Sequence, residues 1–116
     1  MNEYDRILLL KIKGETEFLL TWTKRDDLNS FLSDNDLQYI ASMSLIKIGG
    51  YVKSLSDDLK QTYSDIRWVS ITNLRNIAAH TYKALHMNWI WKNVTKDVPD
   101  LLEQVEEIFQ SEGVEG

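Results

Sequence analysis

Apolar residues recur every three or four positions along most of the chain, a spacing that predicts helices. The first predicted helix runs from Asn2 to about Lys24 and has an apolar face made of Tyr4, Leu8, Ile12, Leu19 and Trp22. Residues 25–35 are polar, and we expect them to connect this helix to the next. No segment alternates apolar and polar residues over a length that would favour a β-strand.

Residues with short polar side chains indicate where further helices begin. Ser33 and Asp34 can cap a second long helix that ends near Lys53. Its inward-facing residues are predicted to be Leu37, Ile40, Met43 or Ser44, and Ile48. The pair Gly49-Gly50 lies inside this helix, where each glycine costs about 1 kcal/mol relative to alanine. This pair therefore predicts either a bend or the close approach of another backbone.

The second half of the chain shows the same helical spacing, with short polar residues at the predicted helix starts. A short helix is predicted to begin at Ser56 and to end near Tyr63, and a third long helix is predicted over residues 66–82. Residues 87–110 are helical in pattern, with a break or kink near Asp97-Val98-Pro99 because proline is tolerated only near a helix start. Residues 111–116 are acidic and contain glycine, and we expect them to fray.

Together these elements predict an all-α fold, an antiparallel bundle of four to five helices in one domain that spans residues 1–116. Apolar residues make up 43% of the 116, enough to form a packed core. The chain has no cysteine, which excludes disulfides, thiolate metal sites and cysteine nucleophiles. The early apolar run Ile7–Leu10 is too short for a signal peptide or a membrane span, so we expect a cytoplasmic protein.

Charge is distributed unevenly along the chain. The formal net charge is −5, which argues mildly against a nucleic-acid partner, but residues 66–96 contain no acidic residue and carry +5, leaving −10 for the rest. The basic residues of this segment are Arg67, Arg75, Lys83, Lys92 and Lys96, and both histidines, His80 and His86, also lie in it. The segment is either a surface that faces anions or an accidental cluster.

The third long helix contains the residues best suited to chemistry. Arg75 lies near the middle of its apolar side, whereas Asn76 and His80 share a ridge on another side, one turn apart. Positions 75 and 80 are about 140° apart around an ideal helix. A shared site would need the helix to end or unwind near His80, or two copies of the helix to meet across a symmetric dimer.

These residue types fit RNA cleavage without a metal. A histidine whose pKa is near neutrality can remove the proton of a ribose 2′-hydroxyl, and an arginine fork can hold the phosphate and stabilise its charge. The reaction would leave a 2′,3′-cyclic phosphate. The acids nearest to the motif in sequence are Asp65 and Asp97, so a carboxylate-held metal is disfavoured. The ordinary alternative is a hydrogen-bonded structural arginine and a surface histidine.

The string R-N-x-x-x-H-x-Y over residues 75–82 resembles the motif of the HepT-like branch of the HEPN family. The resemblance extends to three further segments. Leu45–Gly49 is similar to the end of the family's second helix. Ile66–Trp68 is similar to the tryptophan-containing segment that leads into the family's motif helix. Trp89–Leu101 is similar to the family's final Trp…Leu-Pro-x-Leu stretch. Gly50 departs from the family's pattern, because relatives commonly have glutamate there.

The resemblance implies a metal-independent endoribonuclease toxin of a type II or VII-like toxin–antitoxin pair, with no cofactor. By position, Arg75 and His80 would be the catalytic pair and Asn76 a supporting residue. Such proteins are homodimers whose paired motifs line a cleft between subunits. Their usual partner is a minimal nucleotidyltransferase antitoxin, which can attach AMP to the motif tyrosine, here Tyr82.

Two other classes of function stay open. The chain could be a non-catalytic helical module that binds a nucleotide or a protein partner, and the loss of glutamate at Gly50 is compatible with this. It could also be a purely structural dimerising bundle. The four tryptophans Trp22, Trp68, Trp89 and Trp91 are expected to anchor the core or an interface rather than to stack on bases. His86 is expected to be a solvated loop residue.

Overall fold

The computed structural model describes residues 1–84 and 86–116, and for residues 80–84 it describes the backbone alone. The described residues contain helices and no β-strand, which confirms the all-α prediction. In chain order the helices are α1 (Glu3–Thr23), α2 (Leu28–Leu32), α3 (Asn35–Ser54), α4 (Asp57–Thr62), α5 (Trp68–Ala84), α6 (Met87–Lys92), a π-helical turn (Asn93–Asp97) and α7 (Val98–Glu112).

Side-chain caps fix the starts of α3 and α4. Asp34 accepts a hydrogen bond from the Leu37 N–H at 3.0 Å, so Asp34 rather than Ser33 is the cap of α3. Ser56 caps α4 in the same way, accepting from the Leu59 N–H at 3.2 Å. Each of these bonds satisfies a backbone donor that has no partner within its own helix.

The prediction that residues 25–35 form a plain connection is wrong, because they include helix α2. Its start is a reciprocal capping box, in which Asp27 accepts from the Ser30 N–H at 2.8 Å and Ser30 Oγ accepts from the Asp27 N–H at 3.0 Å. Phe31 then anchors the short helix, since it is fully buried with its ring centroid 5.0 Å from that of Trp91. Capping and a single buried aromatic compensate for weak apolar periodicity.

The bundle is built around α3, which packs most extensively against α5 and also against α1, while α7 packs on α1. Every long helix and α6 contribute to one core, whose fully buried members include Leu9, Ile12, Leu19, Leu45, Ile48, Ile90, Leu101 and Ile108. None of the helices in the described part of the chain combines the length and apolar composition that a membrane span requires.

The inward faces of α1 and α3 are rotated relative to the predicted ones. Leu8, Ile12 and Leu19 are buried as predicted, but Tyr4 and Trp22 are 61% and 52% exposed. The buried stripe of α1 is instead completed on its other edge by Asp5, Leu9, Thr16 and Thr23. On α3, Ser44 is buried and Met43 is exposed, which decides between those two candidates.

The break expected near Pro99 takes the form of the π-helical turn. The N–H of Val98 donates to the carbonyl of Asn93, five residues earlier. Pro99 has no N–H and its ring clashes with the carbonyl four residues before it, so the wider turn ends directly before the proline. Helix α7 then continues through Glu112, two residues beyond the predicted end, and Gly113 caps it at φ 66°. Fraying of residues 111–116 stays a prediction.

Candidate functional site around helix α5

Helix α5 is held firmly on one side. It begins at Trp68, two residues later than predicted, and the indole N–H of Trp68 donates to the carbonyl of Tyr63 at 3.0 Å. Ile71, Leu74 and Ala78 are buried in the core. The packed side therefore fixes the direction in which the remaining positions of the helix project.

Gly49 determines how closely α3 and α5 approach. A Cβ built on Gly49 would lie 2.6 Å from Arg75 Cβ, 2.9 Å from Arg75 N and 3.0 Å from Thr72 O. These distances leave no room for any side chain larger than hydrogen. The predicted close approach of a backbone is thus confirmed at Gly49, whereas Gly50 has nothing within 4 Å of an added Cβ.

The side chain of Arg75 is exposed, although Ile71 and Ala78, which lie one turn before and one turn after it on α5, are buried. Its side chain forms no salt bridge or hydrogen bond with another described residue. A structural arginine at such a position would be expected to have a partner, because a charged donor stabilises the fold through its hydrogen bonds. The guanidinium is therefore available to an anion from outside. Asn76 is also exposed, one position further along.

The side chains of His80 and Tyr82 lie outside the described residues. The backbone of α5, however, is helical through Ala84. The expectation that the helix could end or unwind near His80 is therefore wrong, since α5 continues for another turn past that position. Within one chain, positions 75 and 80 remain about 140° apart around the axis.

A groove of about 570 Å³ lies between α5 and the π turn with α7. It contains Asp65 and Asp97, the two acids that flank the motif in sequence, and also Asp100, Arg67 and Lys96. Some of the positive charge of residues 66–96 therefore faces carboxylates. Burial raises the pKa of Asp97, and Asp100 adds to this, while Lys96 and Lys92 act in the opposite direction. Among the described residues, no three potential ligands form a metal-binding cluster.

The outer face of α3, defined by Tyr39, Met43, Ile46 and Gly50, lies beside α5. Tyr39 and Met43 are 54% and 39% exposed, and Ile46 and Gly50 are half-buried. These four positions follow one another at helical spacing and form a stripe next to the helix edge that carries Gly49. An exposed apolar stripe of this kind is typical of an interaction surface.

The tryptophans divide into two groups. Trp68 is buried and Trp91 packs against Phe31, as expected for core anchors. Trp22 and Trp89 are 52% and 59% exposed, so neither is a core anchor, and for these two the expected role at an interface stays a prediction. His86 is exposed, as expected, and its ring stacks on Trp89, a contact that the three-residue spacing alone did not reveal.

Comparison with known proteins shows which family the sequence matches. A family model described as ribonuclease HepT-like matches residues 12–108. The chain is 33% identical over 107 residues to a protein of Caldanaerobacter subterraneus subsp. tengcongensis named as a candidate RNase, covering 92% of this chain and 96% of the relative. It is 28% identical over 107 residues to another candidate RNase, from Methanocaldococcus jannaschii, covering 91% and 98% of the two chains.

A relative from Thermococcus cleftensis, named as a candidate HepT ribonuclease, is 26% identical over 108 residues and is covered to 98% of its length. No solved structure matches the chain. The family match covers most of the sequence and includes α5 with its motif. The chain therefore belongs to the HepT-like ribonuclease family.

Proposed function

We propose that this chain is a metal-independent endoribonuclease toxin in which His80 transfers protons and Arg75 binds the scissile phosphate. Membership of a ribonuclease family supports RNA as the substrate. The observation that carries the proposal is the exposed guanidinium of Arg75, which has no partner among the described residues. An arginine fork that is free to bind suits recognition of a phosphodiester, because its planar donors match the phosphate oxygens.

In the proposed reaction the ribose 2′-oxygen attacks the adjacent phosphorus while the bond from phosphorus to the 5′-oxygen breaks. The imidazole of His80 takes the 2′-hydroxyl proton, and a proton is returned to the leaving 5′-oxygen. The products are a 2′,3′-cyclic phosphate and a 5′-hydroxyl. Arg75 stabilises the charge that develops on the phosphate, and Asn76 holds a phosphate oxygen or the imidazole.

A homodimer would complete the site. Positions 75 and 80 diverge around a helix that stays regular, so one copy alone does not direct both toward a single phosphate. The outer face of α3 offers an apolar surface beside α5 for a second copy of the chain. A symmetric pairing there would bring two motifs to one cleft, where one imidazole acts as the base and the other as the acid.

The proposed partner that silences the toxin is a minimal nucleotidyltransferase antitoxin. In this proposal the Tyr82 oxygen attacks the α-phosphorus of ATP, the bond to the β-phosphate breaks, and pyrophosphate leaves as the tyrosyl proton is removed by a base. The resulting AMP group adds a bulky anion seven residues from Arg75, hence two turns away on the same side of α5. Such an anion would compete with RNA for the guanidinium.

The test is cleavage of RNA by the purified chain in the presence of EDTA. We expect cleavage to survive chelation, to give cyclic-phosphate ends, and to fall by at least about a hundredfold in Arg75→Ala and His80→Ala. Arg25→Ala is the matched control, because Arg25 is an exposed arginine outside the positive segment. Native-like cleavage by both motif variants, with a native-like circular dichroism spectrum, would refute the assigned roles.

A non-catalytic module is the second candidate, and Gly50 is the observation that favours it. Where relatives commonly have glutamate, this chain has no side chain and open space around the position. If the chain binds nucleotides without cutting RNA, a nucleotide should raise its melting temperature while cyclic-phosphate products stay absent.

A further inference from the structure

Two rings stack at the start of α6 and face solvent. The centroids of His86 and Trp89 are 5.5 Å apart and the ring planes are inclined by 24°. The Trp89 backbone N–H donates to the His86 carbonyl at 3.1 Å, which ties both residues to one turn. Trp89 nevertheless stays 59% exposed. A stacked imidazole covers only one face of an indole, so much of the remaining aromatic surface is in water.

Cations follow this ring pair along the chain. Lys92 lies one turn after Trp89, Lys96 lies a further turn on, and both are exposed. The ring pair and both lysines belong to the 66–96 segment, which contains no acidic residue. The nearest acids on the following turns, Asp97 and Asp100, line the groove against α5, and Lys96 lines that groove with them. The surface defined by His86, Trp89, Lys92 and Lys96 thus carries two exposed aromatic rings and two cations, of which Lys96 also borders the carboxylates of the groove.

We propose that this surface is a stacking platform for an unpaired RNA base, with Lys92 and Lys96 holding the flanking phosphates. The inference rests on the proposed function, because the RNA that reaches the platform is the one that the α5 motif would cut. Base–aromatic stacking tolerates any sequence, since every base has a π-face, and lysines add salt-dependent affinity for the backbone. An apolar protein partner would leave the two lysines without a role.

The platform lies at the end of the motif helix. From Asn76 to Ala84 the helix rises by about 12 Å, and α6 begins three residues later. In the proposal, an RNA strand held at the motif extends past the end of α5 to Trp89. A base in the interior of a duplex has both faces occupied, so the platform selects loops, bulges and single-stranded ends.

Binding of a short unstructured RNA, followed by fluorescence anisotropy, tests the proposal. The full-length chain carries His80→Ala in every sample so that the RNA is not cut. Adding Trp89→Ala should raise the Kd by about tenfold, whereas Trp89→Phe, which keeps a stacking ring, should stay within about threefold of the parent. Trp22→Ala is the matched control, because Trp22 is exposed to a similar extent but lies outside the positive segment.

A duplex of the same sequence should lose little affinity with Trp89→Ala, and Lys92→Ala should reduce the dependence of the Kd on salt. Equal Kd values for Trp89→Ala and Trp22→Ala would overturn the platform, as would an absence of RNA binding by the His80→Ala parent. Dissociation of an oligomer by Trp89→Ala in sedimentation velocity would also overturn it, because Trp89 would then be a subunit contact.

The two proposals, the base-stacking platform and the nuclease activity, can be refuted separately. If the native chain cuts RNA and the Kd does not depend on Trp89, the platform is wrong and the nuclease stands. If the native chain does not cut RNA but binding depends on Trp89, the assigned chemistry is wrong and the platform stands.

Discussion

Gly49 on α3 and Arg75 on α5 are in direct backbone contact, so close that a methyl group on the glycine would come within 2.6 Å of Arg75 Cβ. Gly49 therefore fixes how closely α3 approaches the turn of α5 that carries Arg75, the residue to which we assign phosphate binding. Two neighbouring glycines allow that role to be tested with the same substitution.

Gly49→Ala should destabilise the protein and Gly50→Ala should not. Overpacking costs about 1–3 kcal/mol, and alanine returns at most about 1 kcal/mol of helix propensity, so Gly49→Ala should lower the free energy of unfolding by roughly 1 kcal/mol or more. Gly50 has open space, so its alanine variant should gain about 0.5–1 kcal/mol. Urea denaturation measures both changes, and an equal effect at the two positions would contradict the contact.

Gly50→Glu should increase RNA cleavage if a glutamate at this position supports the site in relatives. The structure has room for the side chain, since nothing lies within 4 Å of an added Cβ. We expect a gain in kcat of several-fold, measured with the RNA used for the native chain, at a melting temperature no lower than the native one because glutamate is a better helix former than glycine. Gly50→Gln separates charge from size. A loss of cleavage in Gly50→Glu would contradict this prediction and would mean that the site of this chain requires glycine at position 50.

Asp5→Ala should destabilise the corner between α1 and α4. Asp5 is 2% exposed, and its carboxylate accepts hydrogen bonds from the Ser56 N–H at 2.9 Å and the Ser56 hydroxyl at 2.6 Å. Loss of hydrogen bonds to a charged group should cost roughly 1.5–3 kcal/mol of unfolding free energy. Glu17→Ala, an exposed carboxylate on the same helix, should change stability by less than about 0.5 kcal/mol. Comparable losses in the two variants would contradict a structural role for the buried carboxylate.

Asp97→Asn should stabilise the protein at neutral pH and not in acid. Burial raises the pKa of Asp97, so the folded state holds its proton more tightly than the unfolded state does. Stability therefore falls as the pH rises from the unfolded value, about 3.9, through the raised folded value. The melting temperature of Asp97→Asn should exceed that of the native chain above this window and match it below.

Glu106→Gln, which neutralises an exposed carboxylate on α7, is the control for that experiment. Its melting temperature should follow that of the native chain at every pH. A stabilisation by Asp97→Asn that persisted unchanged in acid would mean that it arises from packing rather than from the charge.

The sequence predicted the long helices and the caps of α3 and α4 because these depend on local patterns. Helix α2 was missed because it depends on a capping box and on Phe31, whose partner Trp91 is distant in sequence. The exposure of Trp22 was missed for a related reason. The buried face of α1 is centred on positions that include Asp5 and Thr16, and polar residues do not reveal burial in a hydrophobic pattern.

The roles of the candidate site residues stay predictions, and the geometry around them was only partly predictable. The motif proposed Arg75 and Asn76, and helical spacing placed them on different sides of the helix. The glycine pair predicted a close approach but not the residues that meet there, because the contact between Gly49 and Arg75 arises from packing between two helices. The stacking of His86 on Trp89 depends in turn on how α6 begins, and no periodicity encodes that.

The π-helical turn at Asn93–Asp97 separates two registers along one continuous rod. An α-helix advances by about 100° per residue, so one added residue rotates everything before it relative to everything after it. Removing Thr95 would restore ordinary winding and rotate α6 by about a quarter-turn relative to α7, which would turn the buried Ile90 away from the core. The extra residue of the π-helical turn is therefore what allows α6 and α7, on one rod, to bury their apolar sides against the same core.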